Sequence, residues 1–129
     1  MIYISNDSSS GEVINLTRGD DAVIEVPMTI DDKIDYDMDS NDYLIFGVRE
    51  IPSPDSPLLL SIESEHGVNR IVFSHDDTKD MDIGFYSAEI QLMTSSGMIY
   101  TVWPKLTGNM RTSKSNRKNF VLMTEVVRE

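Results

Sequence analysis

Apolar side chains recur at every second position in two segments, and this period of two restricts the fold more than any other feature of the chain. The alternation runs through residues 22–30 and again through residues 85–93. A strand buried on one face shows this period, whereas an amphipathic helix repeats every 3.6 residues. We therefore expect both segments to be strands. Pro27 cannot donate a main-chain hydrogen bond, so it should lie at a sheet edge or face a gap in the ladder.

Shorter segments with the same period are separated by turn residues such as Ser95-Ser96-Gly97. No segment of twelve or more residues holds a helical period, so short strands at this spacing indicate an all-β chain. The prediction is a single domain, residues 1–129, folded as an immunoglobulin-like β-sandwich of roughly eight short strands. The nine candidate segments for these strands lie near residues 12–16, 22–30, 43–51, 58–62, 68–74, 85–93, 98–103, 105–112 and 119–127. The side chains expected to face the core are Ile24, Val26, Leu44, Phe46, Tyr86, Ala88, Ile90 and Leu92.

Composition excludes several kinds of partner and chemistry. The chain has 129 residues, no cysteine and a formal net charge of −11. Without cysteine there are no disulfides and no thiolate chemistry. The negative charge argues against nucleic acid, whose phosphates are bound mainly by lysine and arginine. No membrane span or signal peptide is visible, so we expect no membrane partner and synthesis in the cytoplasm.

Residues 82–86, Asp-Ile-Gly-Phe-Tyr, resemble the tyrosine corner of immunoglobulin-like domains. In that motif a tyrosine near the start of strand F returns its hydroxyl to the main chain upstream, two residues before a position that is cysteine in antibodies. Ala88 stands at that position here. The predicted structural corner comprises Asp82, Gly84 and Tyr86, with Gly84 permitting the tight turn. A chance match in an ordinary hairpin is the alternative.

The charged residues do not form a recognisable metal or adhesion motif. An EF-hand beginning at Asp35 would need glycine sixth and glutamate twelfth, but Ser40 and Phe46 stand there. Residues 18–20, Arg-Gly-Asp, are an ordinary turn sequence. The segment 31–42 is therefore expected to be a solvated acidic loop, with a calcium site of another type left open. Its aspartates are Asp31, Asp32, Asp35, Asp37, Asp39 and Asp42.

No catalytic constellation is visible. The two histidines, His66 and His75, are not accompanied by a nucleophile, metal or phosphate motif. We therefore expect no catalytic residues, no cofactor and no enzyme activity.

The order of features along the chain resembles small β-sandwich modules of bacteriophage tails and baseplates, in particular the amino-terminal domain of baseplate upper proteins. The residues that carry the resemblance are Leu16 to Asp21, Leu44 to Arg49, Asp77-Thr78, Ile83 to Tyr86, Gly97 and Thr101-Val102. The resemblance implies a non-catalytic phage or prophage structural module located in the virion. Its partners would be other virion or tail proteins, or further copies of itself.

The alternative is a free-standing bacterial module that binds calcium, carbohydrate or peptide through its end loops. For either function we expect contact through exposed strand edges, above all the closing strands 105–112 and 119–127. Their basic residues could meet the acidic segment 31–42 of a neighbour, in which case salt should weaken self-association. The residues considered for the interface are Trp103, Lys105, Arg111, Arg117 and Lys118; for Trp103 a place in the core is the stronger alternative.

Overall fold

The computed structural model describes residues 4–6, 13–31, 33–104 and 118–125, and the statements on structure below concern these residues. They form eleven strands and one short helix. In chain order these are β1 (Ile4–Asn6), β2 (Ile14–Thr17), β3 (Ala22–Glu25), β4 (Met28–Ile30), β5 (Ile34–Asp35), β6 (Tyr43–Arg49), β7 (Leu58–Glu63), β8 (Arg70–Phe73), α1 (His75–Thr78), β9 (Gly84–Met93), β10 (Ile99–Trp103) and β11 (Phe120–Met123). The predicted all-β sandwich is confirmed, and the described residues form more strands than expected, most of them shorter than the predicted segments.

Pro27 explains part of the larger strand number. The predicted strand 22–30 is divided there into β3 and β4, which belong to different sheets: β3 pairs with β8, and β4 lies between β1 and β5. Proline cannot continue the ladder, so the chain can change partners at this point.

The larger sheet has the order β2-β11-β9-β6-β7. Its pairs are antiparallel except that β11 runs parallel to β2. Strand β6 pairs with one edge of β9, and the opposite edge is shared: β11 pairs with residues 84–86, and β10 with residues 90–93. The spatial order of the strands β11, β9 and β6 matches the G-F-C order of immunoglobulin-like sandwiches.

Aromatic rings join this sheet to the smaller sheet of β3 and β8. Phe46 of β6 meets Phe73 of β8 edge to face at 5.2 Å between ring centroids, and Phe120 of β11 at 5.5 Å. The predicted inward stripes are confirmed, since Leu44, Phe46, Ile90 and Leu92 are at most 1 % exposed. Val26, Tyr86 and Ala88 are also buried, and Ile24 packs against this core.

Helix α1 is a single turn that the period-two analysis did not predict. It begins after Ser74, whose main-chain N–H donates to the Asp77 carboxylate at 2.7 Å, as in a capping box. Thr78 at its end is fully buried. The turn brings the chain from β8 to the corner that precedes β9.

Candidate contact face on the larger sheet

The predicted corner residues lie together at the start of β9. The Tyr86 hydroxyl donates a hydrogen bond to the main-chain carbonyl oxygen of Asp82, four residues upstream. Gly84 has a φ of +147°, a conformation that side chains disfavour. Burial, followed by the negative charges of Asp82 and Glu50, raises the pKa of Tyr86. The hydroxyl therefore stays protonated and available as a donor near neutral pH.

Two of the five residues that the sequence analysis grouped as an interface, Trp103 and Lys118, lie within the described residues. Trp103 is 3 % exposed and belongs to the hydrophobic core, so its ring offers no surface to a partner. Lys118 is exposed, and its ammonium donates to the main-chain carbonyl oxygen of Glu50. Lys105, Arg111 and Arg117 lie outside the described residues, as does the predicted strand 105–112. Within the last predicted strand, 119–127, residues Phe120–Met123 form β11, and residues 126–127 lie outside the described residues.

Asp42 is a structural residue that the sequence analysis placed in a solvated loop. It is 1 % exposed. Its carboxylate accepts hydrogen bonds from the Tyr36 hydroxyl at 2.5 Å and from the main-chain N–H groups of Asp39 and Ser95 at 3.0 and 2.8 Å. Burial acts to raise the pKa of Asp42, but these hydrogen bonds outweigh it and lower the pKa below the ordinary value. Asp42 thus ties the acidic segment to the β9–β10 hairpin.

The other acidic side chains of the described residues do not form a metal site. No group of three or more His, Cys, Asp or Glu side chains is close enough there to hold a metal ion.

The Arg-Gly-Asp turn is bound into the protein. The Gly19 N–H donates to Thr78 Oγ1 at 2.8 Å, and the Gly19 carbonyl oxygen accepts from His75 Nδ1 at 2.7 Å. The Arg18 guanidinium donates to the Met81 carbonyl oxygen and to the Glu125 carboxylate, both at 3.2 Å. The second histidine, His66, stacks on the Tyr43 ring at 4.7 Å. These contacts hold the fold together.

A groove of about 350 Å³ lies on the outer face of the larger sheet, away from the core. Its floor comes from β6 and β9, where Gly47 lies opposite Glu89 in the strand register. A Cβ atom on Gly47 would lie 3.3 Å from Leu58 Cδ1, so the missing side chain leaves the floor open. One wall is the segment after β6, with Pro52 and Pro54, and the other comes from β10 and the residue that follows it. The lining residues are Ile45, Gly47, Arg49, Pro52, Ser53, Pro54, Leu58, Ser61, Ser87, Ala88, Glu89, Gln91, Thr101, Pro104 and Asn119.

Glu89 is the acidic group of the groove. Its carboxylate accepts a hydrogen bond from Gln91 Nε2 at 3.3 Å. The groove partly desolvates the Glu89 carboxylate and so raises its pKa, although part of the side chain stays exposed to solvent. The Arg49 guanidinium acts in the opposite direction and lowers this pKa. Arg49 donates to the Ser56 carbonyl oxygen and so anchors the proline-containing wall.

Large apolar side chains flank this groove on the same outer face. Phe85 lies near the start of β9, Ile99 of β10 pairs with Met93 at the end of β9, and Leu58 lines the groove itself. Their exposed fractions, with that of Met123 on β11, are Phe85 67 %, Ile99 57 %, Leu58 50 % and Met123 43 %. The outer face of a sheet in a monomer is normally polar, so several exposed apolar side chains on this face make it a candidate contact surface. The sequence analysis missed this face because it looked for exposed strand edges, although Phe85 lies in the alternating segment 85–93.

The comparisons with known proteins add no family. No protein-family model matches the chain, and a search of the curated proteins also finds no match. Within the described ranges, no helix has the length and apolar character needed to cross a membrane.

Proposed function

We propose that this protein is a non-catalytic assembly module that binds another protein chain through the outer face of its larger sheet. The observation that carries the proposal is the exposure of Phe85, Ile99, Leu58 and Met123 on that face. Burying such side chains against a partner removes apolar surface from water, which contributes roughly 25 cal/mol per Å². Phe85 is the strongest anchor, because large aromatic side chains contribute most to interface energies.

The setting that we propose is a phage or prophage tail or baseplate, where the partner is another virion protein or a further copy of this chain. Support comes from the order of sequence features that resembles baseplate modules, and from a fold with the immunoglobulin-like G-F-C strand order. In such a particle a module contributes by contact alone. The groove fits this function as a place for one side chain of the partner.

Site-specific photo-crosslinking tests the proposal. Phe85 is replaced by p-benzoylphenylalanine in the full chain. This variant is expressed in the cells whose genome encodes the protein, and the cells are then irradiated. Val23 is the matched control position: it is 56 % exposed and lies on the outer face of the smaller sheet. We expect covalent adducts with another protein chain from position 85, recovered in tail particles, and few from position 23. Adducts from position 23 alone, or equal yields from both, would contradict the proposed face.

A further inference from the structure

We infer that the outer groove receives a lysine or arginine side chain from the docked protein chain, with Glu89 as its counter-charge. The inference rests on the proposed function, since it names the chemistry of the partner at that face. The groove lies between exposed apolar side chains, so a partner that covers Phe85 and Ile99 also covers the groove between them.

The groove is lined by one acidic side chain, Glu89, and one basic side chain, Arg49, and Glu89 is the group that can receive a cation. Among the residues that the structure describes, the ion pairs are Arg18–Glu125, Arg70–Glu25 and Lys79–Asp76, so Glu89 takes part in none. The nearby Arg49 guanidinium is directed to the Ser56 carbonyl oxygen. The charge of Arg49 offsets only part of the desolvation of the Glu89 carboxylate. Covering the face would remove the water that still solvates this carboxylate, and a buried carboxylate without a close cation is strongly unfavourable. The net charge of −11 acts in the same direction, because it draws basic partners towards the surface.

The shape and polarity of the groove match a long basic side chain. Its rim is apolar, with Pro52, Pro54 and Leu58, whereas Glu89 and Gln91 place oxygen acceptors at the floor. Lysine and arginine have this division themselves, an apolar stem that ends in a charged head. The lining residues include no aromatic ring, so the stacking platform typical of sugar-binding sites is missing from the described groove.

The test is a titration of the full-length, ¹⁵N-labelled chain with short peptides, followed by NMR. The probes are acetyl-Gly-Gly-Lys-Gly-Gly-amide, its arginine counterpart and a norleucine counterpart that keeps the stem without the charge. We expect the basic peptides to shift the amide signals of Gly47, Glu89, Gln91 and Thr101 at neutral pH. The norleucine peptide should bind at least about tenfold more weakly, the loss expected when a charge-assisted hydrogen bond is removed.

Two variants locate the effect. Glu89→Gln should weaken the binding of the lysine peptide by about tenfold or more. Glu25→Gln removes the same charge from the smaller sheet and should leave this binding unchanged. Gly47→Ala keeps Glu89 but narrows the groove beside Leu58, so it should also weaken binding. The amide spectrum of each variant shows whether it is folded.

Three results would overturn the inference. They are the absence of shifts with either basic peptide, equal binding of the norleucine peptide, and lysine binding that Glu89→Gln does not affect. Binding that appears only after Lys105, Arg111, Lys114 and Arg117 are changed to glutamine would assign the groove to this chain's own basic residues and would also overturn it. Each of these results leaves the photo-crosslinking at position 85 to decide the proposed function separately.

Discussion

The side-chain amide of Asn119 pairs with the main chain of Ala88 as a neighbouring strand would. Asn119 Oδ1 accepts from the Ala88 N–H at 2.7 Å, and Asn119 Nδ2 donates to the Ala88 carbonyl oxygen at 2.9 Å. Ala88 lies between the stretches of β9 that pair with β11 and with β10. One side chain therefore continues the ladder where the two strands leave a gap, beside the groove.

Replacing Asn119 by alanine should destabilise the protein by about 1–3 kcal/mol, because the buried Ala88 N–H and carbonyl would both lose their partner. Chemical denaturation at pH 7 measures the change. Asn15→Ala is the control, since Asn15 is exposed on β2. Equal denaturation midpoints for the two variants would show that the Asn119 amide contributes little to the ladder.

Tyr86→Phe removes only the hydroxyl that donates to the Asp82 carbonyl oxygen. The expected loss of stability is about 1–3 kcal/mol, because a partly buried acceptor is left without its donor. Tyr43→Phe is the matched control, and the stacking of the Tyr43 ring on His66 should survive it. An unchanged denaturation midpoint for Tyr86→Phe would argue against a tyrosine corner.

Asp42→Asn should destabilise the protein by about 1–3 kcal/mol at pH 7, since three donors point at the carboxylate. The folded-state pKa of Asp42 is lowered, so its contribution is complete above the unfolded-state pKa, about 4. It is lost as pH falls through the folded-state pKa. Wild type and variant should therefore converge in strongly acidic solution, as judged from urea denaturation at several pH values. Asp37→Asn, an exposed change in the same segment, should have little effect at any pH.

The folded-state pKa of Glu89 is raised, so its contribution to stability depends on pH in the opposite sense to that of Asp42. The folded protein binds the proton more tightly than the unfolded chain, and stability falls as pH rises from about 4.3 through the folded-state pKa. Glu89→Gln should therefore be more stable than the wild type at pH 7 and equal to it below about pH 4. Denaturation midpoints at the two pH values measure this. A variant less stable than the wild type at pH 7 would indicate that the Glu89 carboxylate stabilises the isolated chain.

The sequence analysis predicted the features that are set by the two faces of a single strand. The inward stripes of β6 and β9 follow from alternation, because a shift of one residue would turn Leu44, Phe46 and Ile90 to solvent. Pro27 marked the place where the ladder is interrupted. The turn of helix at residues 75–78 was missed because four residues are too few to show a helical period.

The remaining features depend on residues that are distant in sequence. Asp42 is buried because Ser95 comes to it from the β9–β10 hairpin, and a row of aspartates is normally a solvated loop. The Asn119 side chain hydrogen-bonds to the Ala88 main chain at a gap in the ladder, and this gap exists only when β10 and β11 have both paired with β9. The groove likewise requires Gly47 to lie opposite Glu89, and the register between two strands cannot be read from the sequence of either strand.

The central claim is that the outer face of the larger sheet is covered when the protein is assembled, and hydroxyl-radical footprinting tests it most directly. The oxidation rates of Phe85, Met123 and Leu58 are compared with those of Val23 and Val72, exposed on the smaller sheet, in the isolated chain and in the assembled particle. We predict that assembly protects the first three side chains several-fold and leaves the two valines unchanged. Protection of Val23 and Val72, with Phe85 and Met123 oxidised as fast as in the isolated chain, would contradict the account.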